Sequence, residues 1–560
     1  MNLKSLAKDT ALYGLSSIVG RFLNYLLVPV YTYYIAAESG GYGIVTNLYA
    51  YTALLLTLLT FGMETTLFRF GGKQEEDGSM VYSTTLRMVG LVALVFLAAV
   101  LGFLHPIARG LGYAAHPEYI ACMALIVAQD AFQAIMFSRL RQQGRPVRFV
   151  ALKFAFIIPN VLLTLFLFIG LPKFFPAHPG LEALWQRFNY GVGFIFFLNL
   201  LCTTAVTLLF IPEIKGLFYG WDRKLAGRML RYTWPLLLLG VVGILNQVAD
   251  KILFPKLIPG EEGMVQLGIY GACVKIALLM SVLTQAFRYA YEPIVFAGGR
   301  GKDNPETLRD GMKYFVIFAL LAFLGVMFYM PLLRYLVTNS AYWAGLKVVP
   351  IVMMAEIFMG IYFNLSFWYK LTDQTIWGAI MSAISVAVMI GVNVAFVPRF
   401  GYMACAWGGF AGYGVAMLLS YFIGQKKAPV QYDLKSFFTA FGLALLLYAA
   451  SVLLGRMLGV GYDTPLGRNS ILFMAGNTVL LAVYALWVWR SLRRRPAAPA
   501  TEHAPSTEHA PAGEVTTSDP VRGSAAHPSQ PAGWAPPSND AEGGMPLGGS
   551  TSPADSSSER

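Results

Sequence analysis

The sequence predicts an all-α membrane protein: a polytopic bundle of about 14 transmembrane helices, with two pseudo-symmetric six-helix lobes plus two extra helices. Two observations support this fold class. Of the 560 residues, 56% are hydrophobic, which is more than a soluble domain of this size could keep off its surface. In addition, the first half of the chain recurs in the second half, with a shift of 226 to 228 residues.

Apolar runs of about 20 residues recur along the chain, and each is long enough to cross the roughly 30 Å hydrocarbon core of a bilayer as a helix. We number the predicted helices in chain order, with approximate bounds at 10–35, 43–68, 82–104, 118–140, 149–170, 188–211, 231–255, 265–290, 312–333, 346–370, 375–397, 402–424, 434–458 and 468–490. The first run is too long for a cleavable signal peptide, so we expect it to remain as a spanning helix.

The internal duplication is visible in short motifs. Tyr42-Gly43 opens predicted helix 2 and is followed by Glu64, whereas Tyr270-Gly271 opens predicted helix 8 and is followed by Glu292 at the same separation of 22 residues. The shift is 228 residues for these motifs. In the helix before each copy it is 226 residues, which aligns Gly14 with Gly240, Asn24 with Asp250 and Pro29 with Pro255, and the two extra residues of the second copy fall between Lys256 and Gly268. Two related membrane halves with polar residues at corresponding places are typical of transporters whose site lies between the halves.

The repeat and the composition predict five regions. These are an N-lobe with predicted helices 1–6 (1–211), a cytoplasmic linker (212–228), a C-lobe with predicted helices 7–12 (229–424), two appended helices (425–495) and a disordered cytoplasmic tail (496–560). The tail is rich in Pro, Ala, Ser, Thr and Gly and has almost no large apolar residues, so it cannot bury a core.

The net charge of +12 is distributed unevenly among the loops. Most basic residues fall in loops on one side of an even-numbered bundle: Lys4, Lys8, Arg139, Arg141, Arg145, Arg148, Lys215, Arg223, Lys224, Arg228, Arg300, Lys302, Arg309, Lys426, Lys427, Arg490, Arg493, Arg494 and Arg495. By the positive-inside rule, both termini are predicted to be cytoplasmic. Binding of anionic lipid or nucleic acid is the alternative interpretation. The uneven distribution of charge favours the topological interpretation over these binding functions, and we expect no nucleic-acid partner.

Signals of catalysis are missing from the sequence. There is no P-loop motif, no histidine within a predicted helix and no large outer loop. The cysteines lie singly in predicted helices, at Cys122, Cys202, Cys273 and Cys405, and none belongs to a C-x-x-C motif. We therefore expect that the protein is not an enzyme and needs neither a metal nor another cofactor.

Charged residues inside predicted helices need a reason, because a charge at the bilayer centre costs roughly 2.5–3.5 kcal/mol on insertion scales. We interpret the acidic ones as candidates for ion coupling or gating: Glu64, Asp130, Asp250, Glu292 and Glu356. The repeat relates Glu64 to Glu292 and Asp130 to Glu356. The basic residue Arg21 has no acidic residue within one turn of its own helix, and we expect it to contact an anionic group of a substrate.

The structural alternative is that these residues form buried pairs that fix the register of the helices. Arg288 and Glu292 have the i, i+4 spacing of such a pair. Glu64 and Arg69 lie near a predicted membrane boundary and could extend to the interface. Asp130 and Glu356 have no basic residue on the same turn, so each must face a partner helix or a wet cavity.

Several motifs resemble those of one protein family. The segments 250–251, 259–263, 268–271 and 285–293 resemble the seventh and eighth helices of bacterial oligosaccharide flippases, the Wzx-like polysaccharide exporters. The segment 393–404, with Asn393, Pro398 and Gly401, is similar to that family's junction of helices 11 and 12. The resemblance covers about residues 1–490 and leaves out the tail.

The resemblance implies membership of the multidrug/oligosaccharidyl-lipid/polysaccharide exporter superfamily, in which two six-helix lobes form a V around a cavity. Wzx-like members move undecaprenyl-pyrophosphate-linked oligosaccharides across the bacterial cytoplasmic membrane by alternating access. In this interpretation the cavity residues that bind the lipid-linked substrate are Arg21, Asn24, Asn246, Gln247, Lys251, Lys275 and Arg288. Membrane lipids and the polysaccharide polymerase or chain-length machinery are the expected partners.

Two other functional classes compete with this interpretation. A cation-coupled drug or metabolite antiporter of the same superfamily is the alternative, and it matches less well because the cavities of those antiporters carry fewer basic residues. A membrane-embedded polymerase or ligase would need a large outer loop with catalytic Arg and His, which this chain lacks.

Overall fold

The computed structural model describes residues 25–72, 77–187, 191–297, 305–372, 374–462 and 464–493. In these segments the chain is helical and contains no strand. Thirteen of the described helices are long and apolar enough to cross a membrane, and they correspond to predicted helices 2–14. The first part of predicted helix 1, with Arg21 and Asn24, and the tail lie outside the described residues.

We number the helices so that they match the predicted ones. They are α1 (Val28–Tyr34), α2 (Gly41–Gly71), α3 (Gly78–Gly102), α4 (Pro117–Gln142), α5 (Pro146–Leu165), α6 (Val192–Leu209), α7 (Arg223–Leu257), α8 (Glu261–Ala297), α9 (Pro305–Phe328), α10 (Val349–Leu365), α11 (Ile376–Phe400), α12 (Tyr402–Lys427), α13 (Leu434–Leu458) and α14 (Arg468–Arg493).

Helix α7 begins earlier than predicted, so that residues 223–228 form its first turns rather than a loop. The cause is local. The side chain of Asp222 accepts hydrogen bonds from the backbone N–H groups of Lys224 (2.7 Å) and Leu225 (3.2 Å), which is the usual arrangement of a helix N-cap. Leu225 and Met229 are buried and anchor this added segment.

Helix α2 occupies the boundary between the two repeats, because it packs against α7 and α8 as well as against α4. Its closest approach to α8 is at the ends that the topology prediction assigns to the outer side. There a methyl group on Gly43 would collide with the backbone carbonyl oxygen of Met264, and a methyl group on Gly271 would collide with the side chain of Thr46. The Tyr-Gly motifs that revealed the duplication therefore supply the glycines of this contact.

Helix α2 is broken in its inner half. Phe61 has φ 33° and Gly62 has φ 74°, so the chain leaves the helical conformation and resumes it at Met63. A left-handed conformation is unusual for a phenylalanine. The hydroxyl of Thr233 in α7 donates a hydrogen bond of 2.6 Å to the carbonyl oxygen of Phe61, which satisfies a backbone group that the break releases.

The last two helices, α13 and α14, pack on α9. Lys313 of α9 forms an ion pair with Asp433 (3.1 Å), just before α13. On the predicted outer side, the guanidinium group of the buried Arg334 donates hydrogen bonds to the backbone carbonyls of Tyr462 (2.7 Å) and Thr464. It also lies 4.3 Å from the ring centroid of Trp343.

Candidate functional site

One group of charged side chains lies where α7, α8 and α10 meet. We call Asp250, Lys251, Lys275 and Glu356 the central cluster. Asp250 is 6% exposed and accepts from the Lys251 ammonium group (3.0 Å) and from the Tyr270 hydroxyl (2.8 Å). Two of the predicted site residues thus form a partly buried ion pair, together with a tyrosine that the sequence analysis did not select.

Residues of the first repeat hold this ion pair in position. The Asn47 amide of α2 donates to the backbone carbonyl oxygen of Lys251 (2.7 Å), and its own oxygen accepts from the Tyr113 hydroxyl (2.7 Å). Tyr113 lies in the connection between α3 and α4, and burial raises the pKa of its phenol, so it remains a proton donor. Asn47 was not predicted, although the spacing of the Tyr-Gly motifs aligns it with Lys275.

Lys275 and Glu356 complete the central cluster without direct partners. Within the described segments, Lys275 forms neither an ion pair nor a hydrogen bond, and its electrostatic interaction is a repulsion from Lys251. Glu356 interacts electrostatically with Lys251, and its buried Oε2 has no hydrogen-bond partner among the described residues. The cluster therefore combines one formed ion pair with one cation and one carboxylate that have unused bonding capacity.

The two predicted amide residues next to this cluster differ. Asn246 is engaged in helix packing: its amide donates to the Ser382 carbonyl oxygen (3.2 Å) and accepts from the Ser385 hydroxyl (2.8 Å), both in α11. The Tyr413 hydroxyl of α12 donates to the backbone carbonyl oxygen of Asn246 (3.1 Å). Gln247, by contrast, is exposed, and its side chain faces away from the protein interior.

A second group, the first-repeat cluster, consists of Glu64, Asp130, Arg141 and Lys153. Glu64 accepts from the Arg141 guanidinium group (3.0 Å) of α4. Arg69, which the sequence analysis placed near the same membrane boundary, lies with its guanidinium group 4.3 Å from the ring centroid of Tyr232. The sequence analysis assigned Arg141 to a cytoplasmic loop between predicted helices 4 and 5. For that reason it did not predict the ion pair of Arg141 with Glu64.

Lys153 of α5 is the main site residue that the sequence analysis overlooked. Its ammonium group interacts electrostatically with Asp130 and Glu64, and it lies 4.1 Å from the ring centroid of Phe137. Asp130 was expected to face a partner helix or a wet cavity, and the partner helix is α5. A lysine in the first half of predicted helix 5 was the available signal, but its repeat equivalent is Ala379 and the duplication did not point to it.

A third group, the second-repeat cluster, consists of Arg288, Glu292 and Lys370. Glu292 is paired with Arg288 at 3.4 Å, with the i, i+4 spacing considered from the sequence, and with Lys370 at 3.5 Å. Both cations lie over the same ring, Phe363, at 4.5 Å for Arg288 and 4.4 Å for Lys370. Lys370 was not predicted.

The two peripheral clusters correspond to each other through the repeat. In the first, a glutamate of α2 pairs with a cation near the inner end of α4. In the second, the equivalent glutamate of α8 pairs with a cation just beyond α10. Together with the central cluster they supply both anion-binding and cation-binding groups. In the described segments, no group of three or more His, Cys, Asp or Glu side chains could hold a metal ion.

Comparisons with known proteins agree with this architecture. The lipid II flippase MurJ in an inward closed conformation has a TM-score of 0.66 and 14% identity, over 86% of this chain and all of that one. An inward-facing multidrug resistance MATE family transporter of the MOP superfamily has a TM-score of 0.58 and 16% identity, over 72% of this chain and 94% of that one. The MATE multidrug transporter DinF-BH has a TM-score of 0.54 and 15% identity, covering 78% and 98%.

At these identities the similarity shows a common fold, and these neighbours are transporters or flippases rather than enzymes. A search of curated proteins finds no match. The family of polysaccharide biosynthesis proteins, however, matches residues 6–291, which is half of the chain, and confirms the resemblance found in the sequence. The chain therefore belongs to the polysaccharide biosynthesis protein family, with the fold of the flippases and multidrug transporters named above.

Proposed function

We propose that this protein translocates an undecaprenyl-pyrophosphate-linked oligosaccharide, a repeat unit of a surface polysaccharide or O-antigen, from the cytoplasmic to the periplasmic leaflet of a bacterial inner membrane. Both termini are cytoplasmic in this proposal. The lipid chain stays in the bilayer while the pyrophosphate and sugars pass between the two repeats by alternating access. Family membership supports a lipid-linked substrate, and the fold supports transport.

The observation that carries the proposal is Lys275. One turn before it, Gly271 forms the close contact with α2, so the lysine lies next to that contact, at the predicted outer end of the boundary between repeats. Its ammonium group has no counter-ion among the described residues and is repelled by Lys251. A pyrophosphate would bind both lysines with charge-assisted hydrogen bonds and would relieve that repulsion.

The remaining residues have supporting roles in the proposal. Arg288, whose side chain is 46% exposed, and the more buried Lys370 supply positive charge on the predicted cytoplasmic side, where the headgroup enters. Arg21 and Asn24, which lie outside the described residues, and Gln247 add contacts to phosphate and sugar. Asn246 holds α7 on α11 and α12. Asp130, Asp250 and Glu356 are the candidates for ion coupling, whereas Glu64 and Glu292 organise the two peripheral clusters.

Glu356 favours the alternative, a cation-coupled drug or metabolite antiporter. Its buried, unpartnered carboxylate oxygen is suited to binding a proton or a metal cation that drives exchange. The two functions make different demands on the central cluster: the flippase requires Lys275, and the antiporter requires Glu356 alone. A polymerase that accepts the exported repeat unit is the partner expected under the first function.

The test compares Lys275→Gln, Glu356→Gln and the control Lys347→Gln, an exposed cation near the outer end of α10. In cells without the native copy, we expect Lys275→Gln to lower surface polysaccharide at normal membrane abundance. Purified protein should bind undecaprenyl pyrophosphate on the order of 10- to 100-fold more weakly, because a hydrogen bond to a charged group contributes about 1.5–3 kcal/mol. The control should match the parent protein.

The alternative makes the opposite prediction. An antiporter would show efflux of a cationic dye such as ethidium that Glu356→Gln abolishes, with surface polysaccharide unchanged in every variant. Normal polysaccharide and normal pyrophosphate binding in Lys275→Gln would remove the central cluster from flippase function.

A further inference from the structure

The connection between α6 and α7 exposes a row of aromatic side chains. After α6 the chain forms a short turn, Ile211–Ile214, and a 3-10 segment, Lys215–Phe218, before α7 begins. Phe218 is 81% exposed, Tyr219 55% and Trp221 47%. Aromatic side chains of this size rarely face water in a row, so this surface needs a partner.

Hydrogen bonds to α3 hold the backbone behind these aromatic residues. The Ser83 hydroxyl donates to the carbonyl oxygen of Gly220 (2.6 Å), and the Arg87 guanidinium group donates to that of Leu217 (2.7 Å). Gly216 packs directly against the ring of Tyr82. The connection is therefore bound to the first repeat, and the exposure of its aromatic side chains is built into the fold.

The same surface is basic. Lys215, Arg223 and Lys224 are exposed and form no ion pair with any described residue. The two acidic residues of this segment are already engaged. Glu213 forms a two-pronged ion pair with Arg148 (2.6 and 2.8 Å), and Asp222 caps α7. The outward charge of the segment is thus positive.

The position of the connection between α6 and α7 relative to the membrane indicates what kind of partner covers its aromatic side chains. The segment joins two membrane-spanning helices, so it lies at the level where α6 and α7 leave the bilayer. Aromatic rings with polar tips are enriched at this level, and lysine and arginine there are attracted to anionic lipid headgroups. We propose that the surface formed by Lys215, Phe218, Tyr219, Trp221, Arg223 and Lys224 lies in the headgroup layer and binds anionic phospholipid. It anchors the connection between the repeats, whatever substrate the protein carries.

The first experiment measures the depth of this surface in the membrane. A fluorescent probe is attached to Phe218→Cys in the full chain, reconstituted in nanodiscs of phosphatidylglycerol and phosphatidylcholine with a spin label on the lipid headgroup. The control is Gln143→Cys, an exposed position in the turn between α4 and α5, and the parent chain reports labelling of its own cysteines. We expect stronger quenching at position 218 than at 143, because both connections join membrane-spanning helices but only the one after α6 exposes large aromatic side chains. Unquenched fluorescence at 218 would place the surface in water and overturn the proposal.

The second experiment tests the charge. Spin-labelled phosphatidylglycerol is titrated into the detergent-solubilised chain, and quenching of the probe at position 218 gives half-saturation. Because each basic residue near an anionic surface strengthens binding by about fivefold, Lys215→Gln, Arg223→Gln and Lys224→Gln together should raise half-saturation by about tenfold or more.

The matched control removes three exposed cations elsewhere on the same predicted side: Arg145→Gln, Lys426→Gln and Lys435→Gln. We expect half-saturation within about twofold of the parent chain, since these residues lie outside the lipid-binding surface. An equal loss in both triple variants would mean general charge attraction and would overturn the proposal. The depth measurement keeps all native charges, so it remains decisive if a triple variant is not monodisperse in gel filtration.

Discussion

Helices α2 and α8 occupy equivalent places in the repeat, yet they differ where they cross the inner half of the membrane. Helix α2 is interrupted at Phe61 and Gly62, whereas α8 runs without a break from Glu261 to Ala297 through the equivalent residues Tyr289 and Ala290. Both helices then present the repeated glutamate, Glu64 or Glu292, to a cation in or just beyond the fourth helix of their repeat. The duplication has kept the charges in register while the backbone has diverged.

The difference shows that residues at equivalent places in the repeat can have different backbone hydrogen-bond partners. A break in a membrane helix releases backbone groups that must find other partners. In α2 the partner is Thr233, so the break ties the first repeat to α7 of the second. In α8 the helix is continuous, so its backbone groups form hydrogen bonds within the helix and need no partner from another helix. We therefore expect the two inner halves to respond differently to matched substitutions.

The largest effect is expected at the outer contact between the two helices. In Gly43→Ala the new methyl group would meet the backbone of Met264, which cannot rotate away, whereas in Gly271→Ala it would meet the side chain of Thr46. We expect Gly43→Ala to destabilise the protein by more than the roughly 1–3 kcal/mol typical of overpacking, with loss of export. Gly271→Ala should fall within that range. The measurement is thermal unfolding of purified protein together with surface polysaccharide.

Thr46→Ala gives the control for this comparison. Added to Gly271→Ala, it removes the side chain that the new methyl group meets and should restore most of the lost stability. Added to Gly43→Ala, it should restore nothing. Equal rescue of both variants would contradict the distinction between a backbone contact and a side-chain contact.

An intermediate effect is expected at the break in α2. Thr233→Val keeps the shape of the side chain but leaves the Phe61 carbonyl oxygen without its partner, which should cost about 1–3 kcal/mol. The matched control is Thr284→Val in α8, because Thr284 is also buried and its hydroxyl has no partner among the described residues. We expect the control to be neutral or slightly stabilising in the same thermal unfolding measurement. A loss of the same size in both variants would show that the break does not depend on α7.

The smallest effect is expected for the two repeated ion pairs. Both partners of the Arg141–Glu64 pair are more than one third exposed, whereas Lys370 and Glu292 are 12% and 22% exposed. A double-mutant cycle with Arg141→Gln and Glu64→Gln should therefore give a coupling free energy of about 0.2–1 kcal/mol. The cycle with Lys370→Gln and Glu292→Gln should give a larger value. Equal coupling would mean that burial does not distinguish the two repeats.

The sequence predicted the helices well, because membrane spans are long and their signal is strong. Hydropathy and the repeat identified predicted helices 2–14, and the structure corrects mainly their ends, as at Asp222, where a cap extends α7. The break at Phe61 was not predicted, since a single glycine within an apolar run does not identify a discontinuous helix.

The candidate site was predicted less completely. Local pairs such as Arg288 with Glu292 follow from helical spacing, but the longer-range partners do not. Asn47 and Tyr113 form hydrogen bonds to residues that are distant in the chain, whereas Lys153 interacts with α4 and α2. No motif links these residues to their partners. Their positions depend on which faces of the helices meet, and hydropathy contains no information about that.

Buried Arg334 has a consequence for the order in which the protein is assembled. Its guanidinium group binds carbonyl oxygens that lie 128 and 130 residues later in the chain. While those residues are still being synthesised, the charge has to remain at the water interface, because burial without partners is costly. We therefore expect the outer end of α9 to close only after the hairpin of α13 and α14 has entered the membrane, because Arg334 has these hydrogen-bond partners only then.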